Sequence, residues 1–63
     1  MKEFDLVKAI VDIENIKINT EGVIVYIYDG HDACEVEFFD NKNNTIDVVT
    51  CKFEQLELIK ESK

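Results

Sequence analysis

Apolar and polar residues alternate most cleanly from Ala33 to Phe39, where Cys34, Val36 and Phe38 fall on one side and Glu35 and Glu37 on the other. A period of two is the signature of a strand with one buried face. Just upstream, Val23 to Tyr28 reads Val-Ile-Val-Tyr-Ile-Tyr, β-branched or aromatic throughout, and the pair Asp29-Gly30 then supplies a turn signal. Together the two runs predict a hairpin. With Val23, Val25 and Ile27 assigned to the core, Tyr26 and Tyr28 join Glu35, Glu37 and Phe39 on its outer face.

The other elements follow from the same pattern. Between Phe4 and Val11, Leu6, Val7, Ala9, Ile10 and Val11 fit both a helix and a strand, and the β-branched content favours a strand. After Phe39 comes Asp40-Asn41-Lys42-Asn43-Asn44, rich in the non-glycine residue that best tolerates a left-handed turn backbone. Ile46 to Cys51 then returns as a strand. A simple two-residue turn centred on Lys42 and Asn43 sets Cys34 opposite Cys51 but Asp47 opposite Phe38. A one-residue bulge pairs Phe38 with Ile46 and Val36 with Val48, and is preferred because it avoids burying a carboxylate. Lys52 to Gln55 is too short for an α-helix and predicts a single 3-10 turn with Phe53 inward, before a last strand from Leu56 to Ile59. Five short strands with one such turn before the last is the layout of an all-β, five-stranded SH3-like barrel, here one domain over residues 1–63. The connection from Ile13 to Thr20 has no clear pattern.

Composition narrows what such a domain does. A chain of 63 residues buries only roughly 60% of the surface it exposes when unfolded, so function belongs on the surface or at an oligomer interface. Its formal charge is -7, from fourteen acids against seven lysines and no arginine, the wrong sign for binding nucleic acid directly. The first residues lack the basic start and apolar stretch of a signal peptide and no run approaches a membrane span. The expectation is a cytoplasmic protein with no membrane role. Cys34 and Cys51 are too few for a disulfide framework or a four-thiolate zinc site, and read as buried thiols that the bulged register keeps apart.

Candidate chemistry is sparse. The one histidine, His31, has no serine near it, and the one serine, Ser62, lies at the C-terminal end, so no nucleophilic triad can form. A Cys34–His31 thiol pair conflicts with the apolar face Cys34 shares with Val36 and Phe38. Glu35 and Glu37 read as a solvated face rather than an acid–base pair. Asp29, His31 and Asp32 crowd one turn, yet their spacing matches neither a calcium loop nor a zinc set, which leaves turn chemistry. No enzyme, metal or cofactor is expected. What stands out is the stretch between Lys17 and Lys42, which carries six acids and no lysine or arginine. Exposed aromatics beside these acids fit either ordinary surface packing or a protein interface comprising Tyr26, Tyr28, Asp29, Asp32, Glu35, Glu37, Phe39 and Asp40, its carboxylates selecting a basic partner.

The strings Glu21-Gly22-Val23-Ile24-Val25-Tyr26-Ile27-Tyr28 and Glu35-Val36-Glu37-Phe38-Phe39-Asp40, with Thr45, Thr50 and Glu54-Gln55-Leu56, resemble a family of very small bacterial SH3-like barrel proteins known only as a domain of unknown function. The match spans nearly the whole chain, and Glu-Val-Glu-Phe-x-Asp is its most specific part. The family pattern carries a proline after the first strand and glycine where Asn19 and Asn43 stand; this chain has neither. The resemblance implies the barrel fold and no established reaction. Such proteins look like those often encoded beside toxins, which implies an immunity or antitoxin protein that occludes a basic toxin, perhaps a nuclease. The alternative is a housekeeping scaffold or regulatory subunit with an unknown protein partner, or a homodimer through a barrel edge.

Overall fold

The computed structural model describes residues 1–30 and 32–63. Five strands, β1 (Leu6–Ala9), β2 (Glu21–Ile27), β3 (Ala33–Phe39), β4 (Thr45–Lys52) and β5 (Leu56–Lys60), form one antiparallel sheet, with a 3-10 turn over Phe53–Gln55 before β5. The order is β4-β3-β2-β1-β5, so β4 and β5 are the two ends of the sheet and are not paired with each other. The all-β fold with its 3-10 turn is as expected. The barrel is open rather than closed.

The core lies on one face. Val7, Ala9, Ile24, Cys34, Val36, Phe38, Val49, Cys51 and Leu56 are all buried there, joined by Ile13 and Ile16 from the β1–β2 connection. A single sheet needs a cover for its apolar face, and Ile13 and Ile16 supply part of it. They exchange backbone hydrogen bonds of 2.8 and 2.7 Å across a tight turn, with Glu14 in the left-handed region at φ 51. The connection closes at its base, where the N–H of Asn19 donates to the carbonyl of Ala9 at 2.7 Å.

Two irregularities decide which way side chains face. The ladder between β2 and β3 shifts between Ile24 and Tyr26, so Ile24 pairs with Val36 whereas Tyr26 pairs with Glu35. Val25 is the extra residue, and residues two apart in sequence therefore point to opposite faces. This corrects the assignment of Val23 and Val25 to the core: Gly22 and Ile24 are buried, Val23 and Val25 are half-buried, and the sense reverses so that Ile27 packs against the core. Tyr26 still lies on the outer face.

The second shift lies between Phe38 and Phe39, next to the three-residue turn Asn41–Asn43, where Asn43 has φ 66. Cys34 faces Cys51, Val36 faces Val49 and Phe38 faces Asp47. The preferred pairing of Phe38 with Ile46 and Val36 with Val48 is thus overturned, although a bulge is present. Asp47 escapes burial because it lies on an end strand of the sheet, where it stays exposed and accepts the N–H of Val48 at 2.8 Å. The cysteines face each other directly, contrary to the register argument, and are free thiols buried in the core.

Gly22 has a specific steric role. A Cβ there would stand 2.7 Å from the Glu37 carbonyl oxygen, 2.7 Å from Val36 Cγ1 and 2.9 Å from Phe38 Cδ1. The glycine of the first string is therefore fitted against three residues of the Glu-Val-Glu-Phe string. Gln55 and Leu56 are also explained: Gln55 Oε1 accepts the N–H of Lys52 at 2.8 Å and closes the 3-10 turn, while Leu56 enters the core.

Candidate functional site

The outer face of β2, β3 and β4 is built by alternation from the strands just described. Val23 pairs with Glu37 and Glu37 with Val48; Tyr26 pairs with Glu35 and Glu35 with Thr50; Phe39 pairs with Thr45. No basic residue stands on β2 or β3. Five of the eight predicted interface residues, Tyr26, Tyr28, Glu35, Glu37 and Phe39, are gathered here.

Their geometry is ordered by hydrogen bonds. Tyr26 and Tyr28 make an edge-to-face pair with ring centroids 5.0 Å apart. The Tyr28 hydroxyl donates to Glu35 Oε2, which also accepts the Thr50 hydroxyl at 2.5 Å. Glu37 Oε2 accepts the Thr45 hydroxyl at 2.7 Å. Each carboxylate is thus held by a hydroxyl from β4, and neither is neutralised by a cation: among the described residues the one ion pair joins Lys2 to Glu61 at 3.7 Å. Donation to Glu35 raises the Tyr28 pKa, because ionising the phenol would break that bond and set two negative charges side by side.

Asp29, Asp32 and Asp40 sit at the margins. Asp29 and Asp32 are exposed at the β2–β3 turn and Asp40 at the β3–β4 turn, the opposite end of β3. With seven residues in β3 at ~3.3 Å each, the two ends are separated by about 20 Å or more. Asp40 also holds its own turn: its Oδ1 accepts the N–H groups of Asn44 at 2.9 Å and Lys42 at 2.8 Å, which lower its pKa. His31, which sequence reading placed in the same turn as Asp29 and Asp32, lies outside the described residues. Among the described residues no three His, Cys, Asp or Glu side chains cluster as a metal site.

Sequence reasoning set Ile46 and Val48 against the core residues Phe38 and Val36, and did not identify the hydroxyls that brace the carboxylates. Tyr26 and Tyr28 are 51% and 40% exposed, and on β4 Ile46 and Val48 are exposed as well, at 43% and 49%, with Val48 opposite Glu37. Thr45 and Thr50 are identifiable as carboxylate partners only once β4 is placed in register. A separate site also emerged. Asp5, 1% exposed, accepts the N–H of Ser62 at 2.7 Å and that of Lys2 at 2.9 Å, and the Ser62 hydroxyl donates to the Glu3 carbonyl at 3.0 Å. These bonds tie the two ends of the chain together and hold the Asp5 carboxyl below its ordinary pKa.

The two thiols give no nucleophile. Burial pushes Cys34 up to about 11 and Cys51 to about 12, so both stay protonated at neutral pH. No helix is long and apolar enough to cross a membrane among the described residues.

Comparison with known proteins gives one match. No curated protein and no solved structure matches this chain. Residues 3–58, which include both strings that carried the resemblance and the Gln55-Leu56 pair, match a family of domains of unknown function, and the chain belongs to that family, DUF4926.

Proposed function

We propose that this chain is a noncatalytic protein-binding module whose outer face, centred on Tyr26, Tyr28, Glu35 and Glu37, docks a basic protein. The observation that carries this reading is the combination at one place of an exposed tyrosine pair and two carboxylates that are braced by hydroxyls and, among the described residues, paired with no cation. Tyrosines supply contact area at small entropic cost and the fixed carboxylates select positive charge. The narrower reading is a bacterial, cytoplasmic immunity or antitoxin protein that covers the lysines and arginines with which a toxin, perhaps a nuclease, would hold nucleic acid. Its support is the resemblance and the acidic face. An SH3-like barrel is the fold reading supported by the strand order β4-β3-β2-β1-β5 with the 3-10 turn between β4 and β5.

The test is calorimetric titration with the product of the adjacent gene. Nanomolar affinity that weakens at least about tenfold between 50 mM and 500 mM salt, and again with Tyr26→Ala, is expected. Salt-independent binding unaffected by Tyr26→Ala overturns the reading. A second reading, a scaffold or regulatory subunit that pairs with another copy through a sheet edge, is favoured by the unpaired outer edges of β4 and β5. Sedimentation equilibrium of the chain alone distinguishes it, since the first reading expects a monomer.

A further inference from the structure

Where the base of the β1–β2 connection meets the β3–β4 turn, the surface sinks into a groove of about 630 Å3. That volume suits a short peptide segment better than a single side chain. Leu6, Phe39 and Ile46 make its apolar lining. Glu21 and Asp40 supply its charge, and no basic residue lines it among those described.

The polar rim is unusual in its backbone. Asn19 and Asn43 both line the groove, and both are in the left-handed region, at φ 74 and 66. Glycine adopts that conformation with no steric penalty, whereas an L-residue does so at a cost. Two turns far apart in sequence thus each place an asparagine at the same groove. Amide oxygens and carboxylates are acceptors, and the apolar lining lies between them.

This surface is complementary to a flat cation with several donors on an aliphatic stem. A guanidinium can donate to two carboxylates and the amide oxygens at once while stacking on an aromatic ring; an ammonium is a compact, strongly hydrated point charge with less to gain from Phe39. We propose that the groove binds an extended segment of a protein partner that carries an arginine beside an apolar residue. The guanidinium lies between Glu21 and Asp40, and the apolar residue covers Leu6 and Ile46. The inference rests on the protein-binding reading of the outer face, with which the groove shares Phe39, and it names the element of the partner that anchors there.

The experiment uses the full chain labelled with 15N and the peptide acetyl-Leu-Arg-Leu-amide, with the citrulline peptide as its uncharged counterpart. The arginine peptide should shift the side-chain amides of Asn19 and Asn43 and the backbone of Phe39 to Ile46, saturating in the millimolar range. Citrulline should bind at least about fivefold more weakly, as expected for loss of charge-assisted hydrogen bonds. Asn19→Gly with Asn43→Gly keeps the turns, and should weaken the arginine peptide about threefold or more with no loss of thermal stability. Equal binding of the citrulline peptide, unchanged affinity in the glycine variant, or no shift at the groove overturns the inference. Shifts confined to Tyr26 and Tyr28 refute the groove while leaving the binding face intact; the face itself fails if charge reversal at Glu35 and Glu37 leaves partner binding unchanged.

Discussion

Replacing Gly22 by alanine adds a single methyl group at the most crowded point of the sheet. The new carbon would lie 2.7 Å from the Glu37 carbonyl oxygen and from Val36 Cγ1, and 2.9 Å from Phe38 Cδ1. Val36 and Phe38 are fully buried and cannot swing aside, and the carbonyl oxygen is backbone. The β2–β3 ladder must therefore spread locally. Overpacking of this kind costs roughly 1–3 kcal/mol, partly offset by about 0.4–1 kcal/mol because alanine restricts the unfolded chain. At mid-range values the net loss is about 1.3 kcal/mol, which should lower the melting temperature by roughly 5–10 °C in so small a domain. Gly30→Ala is the control: its nearest foreign atom is 3.8 Å away, so only its positive φ of 97 resists the change. The assay is thermal and urea unfolding of both variants followed by circular dichroism. If Gly22→Ala melts within about 2 °C of the parent, the steric account of this glycine is wrong.

Other consequences follow from the hydrogen bonds and the burial. Absorbance titration should show Tyr28 ionising above the ordinary tyrosine range, with Glu35→Gln moving it down; the stabilisation from the Tyr28–Glu35 bond is complete below the unfolded tyrosine pKa and is lost as pH rises through the raised folded value. Asp5 works in the other direction. Because its folded pKa is lowered, its contribution is present above the unfolded pKa near 3.8 and is lost as pH falls through the folded value, so Asp5→Asn should flatten the acid limb of the stability curve and speed amide exchange at Ser62. Cys34 and Cys51, pushed up to about 11 and 12, should resist a maleimide reagent at pH 8 in the native state and both react in urea. Rapid labelling of either in the folded protein would contradict its burial.

The outer face was legible where alternation was strict. Ala33 to Phe39 offers one consistent face, so Glu35, Glu37 and Phe39 were placed outward correctly from sequence. In Val23 to Tyr28 every residue is β-branched or aromatic, and such a run fits either face; the bulge at Val25 leaves no mark in it, which is why Ile24 was missed as a core residue. The register of β4 was misjudged for a different physical reason. Penalising a carboxylate opposite Phe38 assumed that every inward position is buried, but an end strand overhangs the core and leaves Asp47 in solvent. Ile13 and Ile16 stand in a polar stretch with no period to reveal them, and Asp5 gains its role from Ser62, 57 residues away. Contacts of that range are set by the fold and have no local signal.

Selection of the partner by charge falls to the braced carboxylates Glu35 and Glu37. Affinity of the adjacent gene's product for the double variant Glu35→Lys with Glu37→Lys tests it most directly, measured beside Glu54→Lys with Glu61→Lys, which changes the net charge equally away from the face. A loss of at least about a hundredfold, near 2.7 kcal/mol, is predicted for the first pair and little change for the second. Equal affinity of the two double variants would contradict the claim.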